Sequence, residues 1–302
     1  MQSRGHLLTE LRNPRSTHLD RMSIAEAVDL MNSEDATVAP AVAAARADIC
    51  RAIELVVAAF NAGGRLIYVG AGTSGRLGVL DAAECPPTFL SDPRMVQGVI
   101  AGGYDALRRS IENAEDFPAD GAARIDELDV GPRDVVMGIT TGGTTPYVHG
   151  ALQRARQRGA KTIFFGCVAG TDVTDDADVS IRVLVGPEVI AGSTRLKAGT
   201  ATKMVLNMIT TISMVRIGKT FENLMVDVNT RVNSKLIERG TRIIQAITTL
   251  DPPAARALLD HAGGHVKTAL VMHARRVDRP TAERLLADHH GHVADILAAK
   301  TA

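Results

Sequence analysis

The fold is decided by residues 65–76, which read Arg65-Leu-Ile-Tyr-Val-Gly-Ala-Gly-Thr-Ser-Gly-Arg76. The run begins with a short β-rich stretch, and the glycine-rich turn that follows leads directly into a helical segment. A strand, a tight turn and a helix in immediate succession are typical of a parallel α/β sheet. Main-chain N–H groups at such a turn, together with the partial positive charge of the helix N-terminus, favour binding of an anion.

The rest of the chain repeats this alternation of strands and helices. Besides 65–69, we predict strands at 95–100, 134–139, 161–165 and 179–185. We predict helices from Ser23, where Glu26 stands at the capping-box position, and over 38–62, 105–114, the segment ending at Arg158, and 197–219. The expected fold is an α/β three-layer sandwich with a mainly parallel sheet.

The same pattern predicts three parts of the chain. Residues 1–56 form an N-terminal extension with helices, residues 57–220 form the α/β domain, and residues 221–302 form a small helical C-terminal region. Glycines and prolines interrupt the helical stretches of the last part.

Composition and charge narrow the class of protein. The 302 residues are 45% hydrophobic but only 3% aromatic, so the core must be built mainly from aliphatic side chains. The 34 basic and 34 acidic residues cancel, which gives no indication of a nucleic-acid partner. No apolar run approaches the roughly 20 residues that span a bilayer, and the polar start does not resemble a signal peptide. We therefore expect a cytoplasmic protein without a membrane partner.

The three cysteines, Cys50, Cys85 and Cys167, are too widely spaced for a zinc site and odd in number for a disulfide framework. We expect reduced thiols and no metal or cofactor. The tract Asp288-His-His-Gly-His292 is interpreted as a helix end and turn rather than a metal site.

The first glycine-rich turn formally matches a dinucleotide fingerprint, G-x-G-x-x-G, at Gly70, Gly72 and Gly75. That motif also requires an acidic residue at the end of the second strand, to bind ribose. Here the second strand ends Val99-Ile-Ala-Gly-Gly103, without an acid. Dinucleotide binding is therefore disfavoured.

Hydroxyl side chains in two turns favour a phosphate instead. Both turns follow predicted strands, so both should lie at the carboxyl edge of the sheet, where ligands of open α/β sheets bind. The candidate phosphate-binding residues are Gly72, Thr73, Ser74, Thr141, Gly142, Gly143, Thr144 and Thr145. The alternative is that these are tight turns with helix-capping Thr and Ser. Either turn alone favours that alternative, whereas the two together favour a phosphate site.

Two glutamates, Glu84 and Glu115, are candidates for acid–base chemistry. Glu84 precedes Pro86-Pro87, which we expect to stop the helix, and Glu115 lies in Glu112-Asn-Ala-Glu-Asp116. A lone glutamate is usually a solvated surface group. Spacing alone does not select these two among the other acids.

Several long runs of the sequence resemble one known family. The runs 70–89, 102–116, 186–208 and 222–229, together with the opening run 9–23, are similar to the N-acetylmuramic acid 6-phosphate etherases. The resemblance covers most of the chain and weakens toward the C-terminus. It implies a sugar isomerase (SIS) domain with a flavodoxin-like sheet, preceded by helices and followed by a small helical domain. It also implies a homodimer and a role in recycling cell-wall sugar.

The activity that this resemblance implies is cleavage of a lactyl ether from a phosphorylated amino sugar. The products are N-acetylglucosamine 6-phosphate and D-lactate, formed by elimination and water addition. Glu84 matches the family's acid, and Glu115 matches its second carboxylate, which we interpret as the base. The acid must keep its proton at neutral pH, which burial beside Pro86-Pro87 would favour.

Further substrate-binding residues follow from the same resemblance. Arg76 lies in the first matching run, and Glu188, Ser193, Thr194, Arg195 and Lys197 lie in a segment that related isomerases place near the sugar. A structural role for that segment, capping the long helix, is an equal alternative. Some members carry Ser and Arg where this chain has Gly142 and Thr144, which leaves the grip on the phosphate to main-chain N–H groups and Thr hydroxyls.

Two other functions share the phosphate turns. One is a non-catalytic phosphosugar sensor, because the same domain family includes a regulatory protein that binds a phosphosugar. That protein lacks the acid of the 84–88 motif, which this chain has. The other is an aldose–ketose isomerase or a deaminase of a hexosamine phosphate, which does not need that motif.

Overall fold

The computed structural model describes residues 5–228, 230 and 234–298. Asn229, which ends the 222–229 run, and the outer ends of the predicted parts 1–56 and 221–302 lie outside the described residues. The chain forms two compact units, residues 1–83 with 94–210 and residues 84–93 with 211–302. The domain limits predicted from the sequence remain a prediction.

The first unit is built on a five-stranded sheet, in which every neighbouring pair of strands is parallel. The strands are β1 (Leu66–Gly70), β2 (Val96–Ile100), β3 (Val135–Ile139), β4 (Lys161–Gly166) and β5 (Val179–Arg182), in the order β2-β1-β3-β4-β5. The predicted parallel sheet is confirmed. β5 is shorter than predicted because β4, its neighbour, ends at Gly166 and offers no further ladder partner.

The helices are α1 (Ile24–Asp35), α2 (Val38–Ala44), α3 (Arg46–Asn61), α4 (Gly72–Phe89), α5 (Pro118–Glu127), α6 (Pro146–Gln157) and α7 (Lys197–Arg216). The capping box before α1 is confirmed, because Ser23 N donates to Glu26 Oε2 at 2.7 Å and Glu26 N donates to Ser23 Oγ at 3.3 Å. The predicted helix over 38–62 is two helices, α2 and α3.

The prediction of a helix over 105–114 is wrong. Residues Tyr104–Leu107 form a short 3-10 turn, and Asn113, at φ +61°, adopts a left-handed conformation that a continuous helix does not allow. The crossover helix is α5 instead, which begins at Pro118 with its fixed φ in the first helical position.

The prediction that the proline pair stops α4 is also wrong. The helix continues through Pro86 and Pro87 to Phe89. The two prolines lack N–H donors, but the carbonyl of Pro86 still accepts a hydrogen bond from Leu90 N at 2.9 Å. Glu84 therefore lies within a helix rather than at its end.

Helices cover both faces of the sheet. On one face, Ile67, Val69, Val136 and Phe164 join residues of α5 and α6 in one buried cluster. On the other face, Tyr68 Oη donates to Asp81 Oδ2 of α4 at 3.1 Å. The predicted three-layer arrangement is confirmed.

The second unit is helical, as predicted for the C-terminal region. Its helices are α8 (Ser234–Ile247), α9 (Pro252–His261), α10 (Val266–Arg275), α11 (Arg279–Asp288) and α12 (Val293–Ala298), together with the ends of α4 and α7. Ile244, Leu259, Val266 and Leu270 are among the residues of its own core. α11 ends at Asp288, and His290 and Gly291 follow in left-handed conformations, which is the predicted helix end and turn. None of the described helices combines the length and apolar character that crossing a membrane requires.

Candidate functional site

The two hydroxyl-rich turns leave the sheet side by side. β1 and β3 are neighbours, and Gly70 pairs with Ile139 at their carboxyl ends. β1 lies between β2 and β3 in the sheet. From β1 the chain continues to β2, its neighbour on one side, whereas β3 is its neighbour on the other side. The space outside β1 and β3 is therefore the topological switch point of the sheet, where open α/β folds bind their ligands.

The first turn depends on glycine for its tightness. β1 ends at Gly70 and α4 begins at Gly72, which has φ +52°. A Cβ atom on Gly70 would lie 2.6 Å from Gly75 N, and one on Gly75 would lie 2.6 Å from Ile100 Cγ1. Only glycines permit this approach, which brings the first N–H groups of α4 to the edge of the sheet.

The second turn is held by its own hydrogen bonds. Thr140 Oγ1 lies 2.9 Å from Thr145 Oγ1 and accepts from Thr145 N at 3.3 Å. Gly143, at φ +79°, donates its N–H to Thr140 O at 2.9 Å, and its carbonyl lies 2.7 Å from His149 Nε2. The turn is thus fixed against α6, whose first residue is Pro146.

The remaining hydroxyls of the two turns are available to a ligand. In the part of the chain that the structure describes, Thr73, Ser74, Thr141 and Thr144 make no side-chain hydrogen bond, and Ser74 and Thr141 are nonetheless buried. Two helix N-termini and unpartnered hydroxyls suit a group with several acceptor oxygens and negative charge.

A cavity of about 200 Å³ opens between the turns. Seven of the predicted phosphate-binding residues line it: Gly72, Thr73, Ser74, Thr141, Gly142, Thr144 and Thr145. Gly143, the eighth, does not line it. Gly143 packs against Val168 instead, since a Cβ atom there would lie 2.6 Å from Val168 Cγ2. Glu115 also lines this cavity, so the structure brings one of the two predicted carboxylates to both turns.

Arg76 lies elsewhere than expected. It borders a neighbouring cavity of about 260 Å³, which it shares with Glu112 and Glu115. Its Nε donates to Ala106 O at 3.0 Å and its Nη2 donates to Arg109 O at 3.3 Å. The guanidinium therefore supports the loop after β2 and does not line the cavity between the turns.

The expectation that Glu84 is buried is wrong. Its side chain is exposed, and Pro87 is exposed as well. Cys85, the next residue of α4, is 3% exposed and takes the inward-facing position of this turn of the helix. The assignment of Glu84 as the acid stays a prediction.

For Glu188 and Lys197, the structure shows supporting roles in the fold. Glu188 is fully buried and accepts from Lys197 N and Ala198 N, both at 2.9 Å, so it caps α7. Burial raises the pKa of Glu188 above its ordinary value of 4.5, although these two hydrogen bonds act in the opposite direction. Lys197 Nζ lies 2.6 Å from Glu34 Oε2, and both side chains are buried. Neither Glu188 nor Lys197 lines the cavity.

The loop before α7 still reaches the cavity, through Gly192 and Thr194. Ser193 lies between them and donates its N–H to Ile190 O at 3.0 Å in a turn. Leu7 and Glu10 line the cavity as well, and neither was predicted from the sequence. The sequence could have indicated them, because Glu10 belongs to the 9–23 run that carries part of the family resemblance and Leu7 lies just before it.

Comparison with known proteins defines the class of this protein. Residues 48–156 match the family model described as the glucokinase regulatory protein N-terminal SIS domain, and residues 110–212 match the SIS domain model. A protein described as a phosphosugar isomerase involved in capsule formation, from Bacteroides fragilis, has the same fold, with a TM-score of 0.51 and 18% identity over 70% of this chain and 99% of that chain. Fold and site thus define a SIS-domain protein.

Relatives of nearly full length define the family. The chain is 55% identical to an N-acetylmuramic acid 6-phosphate etherase of Crocosphaera subtropica, over 99% of this chain and 98% of that protein. It is 54% identical to the protein of that name from Gloeothece citriformis and 55% identical to that from Nostoc punctiforme, each over 97% of this chain and 95% of the relative. The chain belongs to the N-acetylmuramic acid 6-phosphate etherase family.

Proposed function

We propose that this protein is a carbon–oxygen lyase. It cleaves the lactyl ether of N-acetylmuramic acid 6-phosphate and yields N-acetylglucosamine 6-phosphate and D-lactate. The observation that carries the proposal is the similarity, over nearly the whole chain, to relatives that bear this name. The cavity between the two turns supports it, because its lining suits a phosphorylated sugar.

The phosphate binds where the two turns meet. The N-terminus of α4 and the turn before α6 supply main-chain N–H groups, and both helix N-termini add partial positive charge. The hydroxyls of Thr73, Ser74 and Thr141 have no hydrogen-bond partner among the described residues and line the same cavity. Affinity therefore comes from many neutral donors rather than from a cationic side chain.

The proposed chemistry uses two carboxylates. The sugar opens to its aldehyde, which acidifies the proton on carbon 2, and Glu115 removes that proton. Glu84 protonates the ether oxygen as lactate leaves carbon 3, and water then adds to the unsaturated aldehyde. A positioned acid or base typically accelerates its proton transfer about 100- to 10,000-fold. The position of Glu115 at the cavity supports its role, whereas the role of Glu84 rests on its motif.

The assay measures D-lactate after incubation of the purified chain with N-acetylmuramic acid 6-phosphate. The wild type should release lactate, and Glu84→Gln should release none. The matched control is Glu54→Gln, which changes an exposed glutamate of α3 and should retain wild-type activity. Absence of lactate with the wild type would refute the proposal.

A second candidate function is a non-catalytic phosphosugar sensor. It is supported by the match of residues 48–156 to the regulatory-protein SIS domain model. A sensor would bind the phosphosugar tightly and release no lactate. Glu84 in its motif argues for the lyase, because a sensor does not need an acid there.

The assembly and location are further parts of the proposal. We infer a cytoplasmic homodimer that acts in the recycling of cell-wall sugar, without a metal or cofactor. The family resemblance supports this. Light scattering should give twice the chain mass of 32.0 kDa, and a mass equal to one chain would contradict the dimer.

A further inference from the structure

Residues 7–13, near the N-terminus, form one wall of the cavity between the two turns. Leu7 and Glu10 line the cavity together with both turns and Glu115. Leu7 is 2% exposed and Thr9 is fully buried, so the segment packs into the first unit. A wall of the cavity therefore comes from outside the sheet and its crossover helices.

Buried polar contacts fix the position of this segment. Gly192 N donates to Thr9 O at 3.1 Å, which joins the segment to the loop before α7. Asn13 Nδ2 donates to Glu34 Oε2 at 2.8 Å, and the same carboxylate oxygen binds Lys197 Nζ at 2.6 Å. The segment is held at both ends of its run past the cavity, so the groups between these contacts are positioned.

Thr9 carries an unsatisfied hydroxyl beside the second turn. Its Oγ1 is buried and has no hydrogen-bond partner among the described residues. A Cβ atom on Gly142 would lie 3.9 Å from this oxygen. Because nearly all buried polar groups have a partner, this hydroxyl indicates a ligand or an ordered water beside Gly142.

Glu10 presents a carboxylate that has no internal partner. It makes no ion pair or side-chain hydrogen bond within the described part of the chain, and its Oε2 lies 3.2 Å from the place of a Cβ atom on Gly192. Gly192 has φ +76° and no side chain, which leaves room at the carboxylate. An ionised carboxylate only accepts hydrogen bonds, so its ligand must donate one.

Charge favours different places within the cavity for the phosphate and for the sugar part of the ligand. A phosphate is repelled by a carboxylate and is attracted by the N-termini of α4 and α6. The O–H and N–H groups of an amino sugar are donors that complement a carboxylate. We propose that Glu10 is a specificity-determining residue that accepts a hydrogen bond from an O–H or N–H group on the sugar part of the bound phosphosugar. The identity of the sugar rests on the proposed function.

Calorimetric binding to the full chain tests this proposal without catalysis. The probes are N-acetylglucosamine 6-phosphate and inorganic phosphate. Glu10→Ala should weaken binding of the sugar phosphate about tenfold or more, because it removes a charge-assisted hydrogen bond. Binding of inorganic phosphate should be unchanged or tighter. Glu10→Gln keeps one acceptor oxygen and should recover part of the loss, and Glu54→Gln should match the wild type.

Three results would overturn the proposal. One is equal affinity of the wild type and Glu10→Ala for the sugar phosphate. Another is an equal loss for the sugar phosphate and for inorganic phosphate, which would assign Glu10 to general folding of the cavity. The third is a wild type that does not bind the sugar phosphate. The wild type could also release no lactate while Glu10→Ala weakens binding of the sugar phosphate and not of inorganic phosphate. That combination would count against the proposed lyase alone.

Discussion

The main-chain carbonyl of Glu115 accepts a 3.0 Å hydrogen bond from the N–H of Tyr147, in the first turn of α6. α6 follows the second hydroxyl-rich turn, so this bond ties the segment that carries Glu115 to that turn. α5 reinforces the contact, since a Cβ atom on Gly121 would lie 2.0 Å from Tyr147 O. Burial raises the pKa of the Tyr147 hydroxyl to about 12, so that side chain stays neutral at physiological pH.

The division of roles between Glu84 and Glu115 predicts different behaviour at carbon 2. Glu115→Ala should fail to exchange the carbon-2 proton with solvent, because it lacks the base. Glu84→Ala should still exchange this proton but release no lactate, because only the departure of the ether oxygen needs the acid. Proton NMR in deuterated water measures the exchange. The control Glu112→Ala, in the same segment as Glu115, should behave as the wild type. Normal exchange by both Glu84→Ala and Glu115→Ala would show that the division is wrong.

Two substitutions in the second turn should tighten phosphate binding. Gly142 does not have a positive φ, and among the described residues a Cβ atom there would have only Thr9 Oγ1 within 4 Å, at 3.9 Å, so Gly142→Ser should fit. Gly142→Ser adds a hydroxyl donor, and Thr144→Arg adds a cation. Thr144→Arg should lower the inhibition constant of inorganic phosphate about tenfold, since charge-assisted hydrogen bonds to phosphate are strong. Thr144→Val, which removes the hydroxyl and adds no charge, should raise it. An unchanged constant for Thr144→Arg would place the phosphate away from this turn.

The buried pair of Lys197 and Glu34 should matter for stability rather than for substrate binding. Lys197→Met removes the buried cation of Glu34, which keeps its ion pair with the half-exposed Arg15, and should lower the free energy of unfolding by about 2 kcal/mol. Urea denaturation measures this loss. The control Lys161→Met breaks a pair with Asp178 in which the lysine is exposed, and should cost less than about 1 kcal/mol. A raised KM with unchanged stability for Lys197→Met would instead support contact with the substrate.

The ion pair of Arg65 and Asp134 should make stability depend on acidic pH. Burial by itself raises the pKa of Asp134, but the Arg65 side chain, at 2.7 Å, and the Gly131 N–H outweigh it and lower the pKa below its ordinary value of 3.8. A lowered folded-state pKa gives stability that is present above the unfolded-state value and is lost as pH falls through the folded-state value.

Asp134→Asn should therefore lower the free energy of unfolding by about 2 kcal/mol at pH 7, and the difference from the wild type should shrink as the pH falls below about 3.8. Urea unfolding across this range measures the effect. Asp176→Asn, at a highly exposed aspartate, serves as the control. A difference that is constant with pH would show that charge at Asp134 does not contribute.

Local patterns in the sequence predict the sheet and both turns correctly. Short apolar, β-rich runs form the strands β1 to β5, and Ser23 forms a capping box with Glu26. Local signals fail where they compete. The helix pattern over 105–114 yields to the left-handed Asn113, and α4 tolerates a proline pair that ordinarily ends a helix.

The sequence by itself determined the alternation of strands and helices, the glycines that the turns require, and the motifs that place the chain in its family, because these depend on neighbours along the chain. Only the tertiary structure decided that Glu10 lines the cavity between the two turns, that Glu188 caps α7, and that Lys197 pairs with the distant Glu34. Such contacts join segments far apart in the chain. Their geometry is set by how the elements pack, which periodicity and spacing do not encode.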